Sequence, residues 1–414
     1  MITLLAKYAA KLTATGLCAP GDVLLAALDD ELGWSQVVES SDPRRGLMEE
    51  IFAGMSISAL LLARPAGVYQ AVMAELARQA LADGSRSITP GDCETRTFLH
   101  DLPVVDSLHA VVIIQALRQR KGCVILHEGE AFVAAFGSVS PEQAYVTFSS
   151  MCFASFVAYF ADHLRTLRAG AMTDQRRAAF ARSTALLQDD RSDRPDLLPG
   201  PFEDEDAARE AMIQAGRSTV EYGLVDSYFG NISYRLGDTI LISQTGSSLD
   251  ELGACIDPCR MDGSSCAGLT ASSEYSAHKA VYEAELAQNG ARAILHGHPR
   301  FSVILSLDCP RLDCPKLGEC HRACDTARAV VDATCGMAVP IVPGEVGTGP
   351  FGLCNTLPQA LTGTSGEKRG AIVYGHGLFT LGAVDFRDAF ASLMDVEHFC
   401  RAEYFRRVGE LGPR

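Results

Sequence analysis

The chain has 414 residues, 47% of them hydrophobic and 21% charged, which is too long for one ordinary core and too apolar for a disordered chain. Two domains are therefore expected. The formal net charge of -15 comes without any basic stripe and so excludes a nucleic-acid surface of the usual kind.

At the start of the chain, Met1 is followed by neither a positively charged leader nor a small-residue cleavage site. No apolar run reaches the ~18 residues of a membrane span. The expectation is a cytoplasmic protein with neither a nucleic-acid nor a membrane partner. A helix is predicted over 2–15, ending at Gly16-Leu17. An apolar strand, Ala59 to Pro65, and another opening at Gly122 follow, then Gly137 and a long helix over 141–164. Arg165 to Arg182 is arginine-rich and helix-compatible, and 189–201 is charged and proline-rich, the composition of a linker. The expected division is a domain at 1–165, a linker at 166–204 and a second domain at 205–414.

The second domain repeats the pattern. A helix over 205–222 ends at Gly223-Leu224, and Gly230-Asn231-Ile232-Ser233 turns toward the strand Thr239 to Ser243. Ser273 is a suitable N-cap for a helix over 274–288, with Asn289-Gly290 as its C-cap. Strands at Ala293 and Gly370, then Gly382 and a helix over 387–406, complete the order. An ordered likeness over whole domains points to an ancestral duplication. In it, Glu31 to Ser35 answers Gly230 to Ser233, while Leu62, Arg64 and Glu128 stand against His296, His298 and His376. A leucine cannot bind a metal and an arginine repels one. The first domain is expected to be a degenerate, structural or interface-forming copy without metal ligands, the alternative being a repurposed ligand site using Arg64 and Glu128.

The chemistry gathers in the second copy. His296 and His298 alternate at the end of a strand, so both point to one face. They are either metal ligands or two ordinary histidines at a strand edge. His376, between Gly375 and Gly377 at another strand end, would complete three ligands and leave a coordination position open. Glu274 opens the 274–288 helix, where it either favours the helix dipole or acts as a proton carrier beside the metal. Ser272-Ser273, Asn231 and Thr245-Gly246-Ser247-Ser248 are small polar loops, each an ordinary turn by itself.

These motifs, in this order, resemble the class II aldolase/adducin family over about 205–408. The resemblance implies an α/β/α layered fold with a mainly antiparallel sheet, here present twice. It implies zinc or another divalent metal on His296, His298 and His376, with Glu274 as acid/base. Asn231, Thr245, Gly246, Ser272 and Ser273 would hold a substrate phosphate. The implied reaction is aldehyde-lyase cleavage of a phosphorylated ketose through a zinc-stabilised enediolate, by a homo-oligomer acting on a small sugar phosphate. An epimerase or dehydratase on the same scaffold is the alternative, and a non-catalytic adducin-like interaction module the second. The segment Val342 to Gly352 matches no specificity region of the family.

Fourteen cysteines remain. Without a secretory leader they are expected as reduced thiols. Cys309, Cys314, Cys320 and Cys324 lie close together in sequence, with Cys255, Cys259, Cys266 and Cys335 in the same region. A second metal site there, structural zinc or an iron–sulfur cluster, is the alternative to scattered thiols.

Overall fold

The computed structural model describes residues 2–412 apart from 227, 265–269, 287–289, 325, 332–337 and 363–369. The chain divides into two compact units, Met1–Asp189 and Asp190–Arg414. The N-terminal unit runs α1 (Ile2–Ala14), β1 (Cys18–Leu28), β2 (Leu32–Trp34), α2 (Pro43–Gly54), β3 (Ala59–Pro65), α3 (Gly67–Ala82), β4 (Ser87–Ile88), β5 (Leu102–Val105), α4 (Ala110–Leu117), β6 (Gly122–His127), β7 (Glu130–Gly137), α5 (Pro141–Arg168) and α6 (Asp174–Thr184). The C-terminal unit runs α7 (Glu205–Glu221), β8 (Asn231–Leu236), β9 (Thr239–Ser243), β10 (Ile256–Arg260), α8 (Tyr275–Leu286), β11 (Ala293–Gly297), α9 (Arg300–Leu307), β12 (Arg328–Val331), β13 (Ala338–Val342), α10 (Leu353–Thr362), β14 (Gly370–Val373), β15 (Gly377–Gly382) and α11 (Phe386–Leu411).

The two sheets have one topology. The first has the strand order β2-β1-β3-β7-β6-β5-β4, the second β10-β9-β8-β11-β15-β14-β13-β12. They coincide strand for strand, with β10 as an added edge. Each has a single parallel pair among its described strands, β5 with β6 and β13 with β14. The registers agree as well. Ala59 pairs with Gly137 as Ala293 pairs with Gly382, and Gly122 pairs with Ala135 as Gly370 pairs with Thr380. A Cβ at Gly137 would collide with the carbonyl of Ser140, and one at Gly382 with the carbonyl of Asp385. Those two residues are the N-caps of α5 and α11. The expected duplication of a layered, mainly antiparallel fold is therefore present.

Alternation along the strands supplies two apolar faces, and helices cover both. In the N-terminal unit α2 and α4 close over Leu24, Leu60, Leu62 and Ile125, with Met48, Ile51 and Ile113 between. In the C-terminal unit α8 and α10 close over Ile240, Ile242, Val373 and Phe379, with Val281, Tyr282 and Leu357 between. Each such side chain, fully buried, stabilises its unit by about 1.5–3 kcal/mol. On the opposite faces lie α5 and α11. Helix α5 is long and apolar enough to cross a membrane, but 83% of its most apolar window is buried, as in a core helix.

Two expected correspondences shift. Leu24 pairs with Leu62 as Asn231 pairs with His296, so Leu24, not the 31–35 stretch, stands where Asn231 does. Leu32–Trp34 is β2 and answers β9. The β6–β7 hairpin also runs on, pairing Leu126 with Ala131 and His127 with Glu130, before it turns at Glu128-Gly129 with φ of 51° and 85°. The β14–β15 hairpin stops at the pair Val373–Gly377. Glu128 therefore sits at the tip of a longer hairpin, not in the place of His376.

The segment 166–204, expected as a linker, is docked chain. Its first residues complete α5, and α6 packs on α3. Residues after Asp190 are bonded to the C-terminal unit. Gly200 N–H donates to Asp385 (2.8 Å), Phe202 N–H donates to the Tyr234 hydroxyl (3.1 Å), and Arg194 pairs with Asp395 (2.5 Å). Proline and charge keep residues 190–201 from forming helix or strand, but they do not prevent docking.

Candidate active site

His296 ends the buried strand β11, and His298 follows two residues on, beyond Gly297. His376 lies in the turn between β14 and β15, where Gly375 takes a φ of 61° that favours glycine. The three side chains are buried, and their candidate ligand atoms all lie within 4.8 Å of one another. Two other glycines allow this convergence. A Cβ at Gly377 would stand 2.6 Å from His296 Cε1 and 2.8 Å from His298 Cδ2, and one at Gly230, with φ 85°, would collide with the His296 carbonyl.

The tautomer of His296 follows from its neighbours. Its Nδ1 lies 3.2 Å from the Leu378 carbonyl, an acceptor, so Nδ1 carries the hydrogen and donates. The Nε2 lone pair then faces the centre, where it is buried and has no hydrogen-bond partner among the described residues. Phe379 stacks on the ring at 3.9 Å and holds its plane. Burial pushes the His296 imidazole down to about 3 and His298 well below the ordinary histidine value. Neutral imidazole is the form that binds metal. An orphaned buried nitrogen costs about 1–3 kcal/mol, and a divalent ion would relieve it. The residues present fit such an ion.

Glu274 faces the histidines. Its Oε1 lies 3.3 Å from His376 Nε2 and its Oε2 3.6 Å from His296 Nε2. Burial raises its carboxyl, but His296, His376 and the Asn231 amide outweigh burial and hold it below the usual glutamate value. Helix α8 starts at Tyr275, and the Glu274 carbonyl accepts from Ala277 (2.9 Å) and His278 (3.2 Å). Glu274 thus takes the N-cap position that its sequence gives to Ser273, with its side chain turned into the site.

The expected phosphate residues divide. Asn231 and Ser272 are buried, while Thr245, Gly246 and Ser273 form an exposed rim. Two N–H groups at the helix start are already occupied: Ser273 donates to Thr245 Oγ1 and Glu274 to Ser272 Oγ, both at 3.3 Å. Asn231 gives an Nδ2 hydrogen to Glu274 Oε2 at 2.6 Å. The helix start is therefore less free to bind an anion than its sequence suggests.

The described cysteines are not gathered. Among the described residues, the three histidines are the only metal-compatible group of three or more His, Cys, Asp or Glu. Cys309, Cys314, Cys320 and Cys324 do not meet in threes. Cys320 Sγ instead contacts the Lys316 carbonyl (3.7 Å) and Cys324 Sγ that of Thr326 (3.6 Å). Cys266, Cys335 and Asn289 lie outside the described residues.

Sequence reasoning missed His278 and Tyr282 and took Ser233 only as part of the Gly230–Ser233 turn; all three lie buried behind Asn231. A signal existed. His278 and Tyr282 are four apart on one helix, with Glu274 four before His278 at its cap, and Asn231 and Ser233 are two apart on one strand, so each set shares a face.

Residues 210–404 match the family model described as Class II Aldolase and Adducin N-terminal domain. The C-terminal unit belongs to the class II aldolase and adducin family. Over 102 residues the chain is 35% identical to the 3-oxo-tetronate 4-phosphate decarboxylase of Haemophilus influenzae, a match covering 24% of this chain and 47% of that protein. The chain thus spans about half the length of this curated relative. Among solved structures, L-fuculose-1-phosphate aldolase from Thermus thermophilus is 22% identical with a TM-score of 0.39, covering 50% of this chain and 98% of that one. An aldolase II superfamily protein from Pseudomonas syringae is 20% identical with a TM-score of 0.34, covering 47% and 73%.

Proposed function

We propose that the C-terminal unit is a divalent-metal lyase that breaks the carbon–carbon bond next to the carbonyl-bearing fragment of a phosphorylated ketose and releases an aldehyde. The observation that carries this reading is a single carboxylate, Glu274, set against His376 and His296 at 3.3 and 3.6 Å in a buried site. Zinc or another divalent ion on His296, His298 and His376 would supply Lewis-acid stabilisation of developing oxyanion charge. Glu274 would move the proton to or from the carbon of the breaking bond, with Asn231 holding one of its oxygens. Ser272, Ser273, Thr245 and Gly246 would receive the phosphate. The Ser273 hydroxyl and the Gly246 N–H make no hydrogen bond among the described residues, which supports that role. The reading includes a homo-oligomer in a reducing, cytoplasmic setting.

A second reading has its own observation, the 35% identity to a decarboxylase of a 3-oxo acid phosphate. Decarboxylation also leaves a carbon beside a carbonyl that Glu274 would protonate. The zinc-loaded full-length protein should be offered a panel of ketose phosphates and 3-oxo acid phosphates, with aldehyde, carbon dioxide and isomerised or dehydrated sugar followed by NMR. Aldehyde release is the expected result. Carbon dioxide without aldehyde transfers the assignment to the second reading, an isomerised or dehydrated sugar to an epimerase or dehydratase, and no product from any compound removes the lyase reading.

A further inference from the structure

Behind Glu274 lies a row of buried polar side chains. Asn231 Nδ2 donates to Glu274 Oε2 at 2.6 Å, and Asn231 Oδ1 lies 2.5 Å from His278 Nε2. His278 Nδ1 lies 2.7 Å from the Ser233 hydroxyl, which lies 2.8 Å from the hydroxyl of Tyr282. Tyr282 is anchored in turn near the carbonyls of Ser233 (3.0 Å) and Arg292 (3.2 Å).

Donor and acceptor rules fix the direction of this row. A carboxylate only accepts, so the amide nitrogen of Asn231 faces Glu274 and its oxygen faces His278. An amide oxygen only accepts, so His278 carries a hydrogen on Nε2. Burial holds His278 neutral by pushing its imidazole down to about 4. Its Nδ1 is therefore bare and accepts the Ser233 proton. From Ser233 onward every bond donates toward the carboxylate.

The N-terminal unit shows that the fold does not need this row. Leu24 stands where Asn231 does, and Ala26, paired with Leu60, stands where Ser233, paired with Ile294, does. Both replacements are buried in an apolar core. The polar row occurs only in the unit that has the carboxylate and the histidines.

We propose that His278 is a positioning residue: it clamps the Asn231 amide in the one orientation that presents N–H to Glu274, and so leaves Oε1 free to face His376 and the substrate. Without the clamp the amide can turn over and set its oxygen against the carboxylate, which repels it. The proposal rests on the reading of Glu274 as the proton carrier.

The test compares His278→Leu, which fills the space without a donor, with His278→Gln, whose amide still donates. Full-length zinc-loaded protein is read by metal content, imidazole nitrogen NMR, and kcat and KM on the compound identified by the product screen above. Both variants should keep their zinc. For His278→Leu, kcat should fall about 10- to 100-fold with KM moving less than about threefold, while His278→Gln stays within about threefold of the parent. In the parent, the imidazole signal lost in His278→Gln should show a protonated Nε2 and a bare Nδ1 from about pH 5 to 8. Parental turnover in a zinc-replete His278→Leu, or a hydrogen on Nδ1 in the parent, overturns the role. Absence of turnover in the parent defeats the lyase reading instead, and the nitrogen spectrum still judges the row. Should His278→Leu not fold, Ser233→Ala removes the donor to Nδ1. A shifted tautomer with a smaller loss of kcat is then expected, and an unchanged tautomer with unchanged kcat overturns the proposal.

Discussion

At matching positions of the two sheets, the C-terminal unit sets Asn231 opposite His296 and the N-terminal unit sets Leu24 opposite Leu62. Where His298 is buried, Arg64 is turned partly outward and paired with Glu130 (2.6 Å) and Asp22 (3.4 Å). The leucines add burial worth about 1.5–3 kcal/mol each, whereas an unsatisfied buried imidazole costs about 1–3 kcal/mol. The same sheet thus accepts either an apolar core or a polar site at these positions. The histidines are not there to hold the fold together. On the proposed reading they are kept at a cost in stability, the usual condition of a functional site.

The largest effects expected from this contrast concern metal. His298→Ala should lose one metal equivalent by elemental analysis, while Arg64→Ala leaves the content unchanged. The double change Leu62→His with Arg64→His should not add a second equivalent, because the longer β6–β7 hairpin puts no third ligand in the place of His376. A second equivalent in that variant would show that the hairpin difference is immaterial. Next comes turnover. Glu274→Gln should keep metal and fold yet lose about 10²–10⁴-fold in rate, while Glu128→Gln should be silent. A loss under about tenfold would leave Glu274 as a helix-end residue only.

The sequence makes the three histidines and Glu274 visible because their chemistry is uncommon at strand and helix ends. The duplication is visible through glycines that the backbone requires. Gly16 and Gly223 have φ of 71° and 67°, with Leu17 N–H bonded back to Leu12 and Leu224 N–H to Thr219. The hidden parts all depend on contacts distant in sequence. His278 and Tyr282 sit on a helix face at a spacing that ordinary core residues share. The docking of 190–204 depends on Asp385 and Tyr234, far along the chain. The insertion in the β6–β7 hairpin leaves the flanking letters alike, so Glu128 matches His376 in a count from Gly122 but not in space. Close spacing of Cys309, Cys314, Cys320 and Cys324 along a looped chain did not fix their distances.

A smaller effect separates two glycines. Gly377→Ala places a methyl against His296 and His298 and against the Gly297 carbonyl, so metal affinity should drop by about tenfold or more. Gly129→Ala meets nothing within 4 Å, and its φ of 85° is the whole penalty. Urea unfolding should show a loss of about 1–2 kcal/mol, with metal affinity unchanged. Equal metal affinity in Gly377→Ala and the parent would mean that the imidazole cradle is looser than its geometry indicates.

The smallest difference expected is in acid stability. In the metal-free protein the C-terminal unit buries His278, lowered to about 4, His296, lowered to about 3, and His298, held well below the ordinary histidine value, in each case chiefly by burial. The N-terminal unit has His163, stacked on Phe180 at 3.5 Å and likewise lowered by burial to about 4. A histidine with a depressed folded pKa binds more protons when unfolded, so stability rises with pH across the gap. The contribution is complete above about pH 6.5 and is lost as pH falls from there toward 4. Asp92 and Glu397, one in each unit, are raised by burial and act in the opposite direction, so they do not separate the units. With more depressed histidines, the C-terminal unit should lose stability first on acidification. The chain's single tryptophan, Trp34, packs on the N-terminal core, so its fluorescence reports that unit while far-UV circular dichroism reports both. Urea midpoints with chelator present, compared at about pH 7 and pH 5, should fall further by circular dichroism than by Trp34 fluorescence. A fluorescence midpoint that falls as far or further would show that the buried histidines of the C-terminal unit are not the acid-sensitive element.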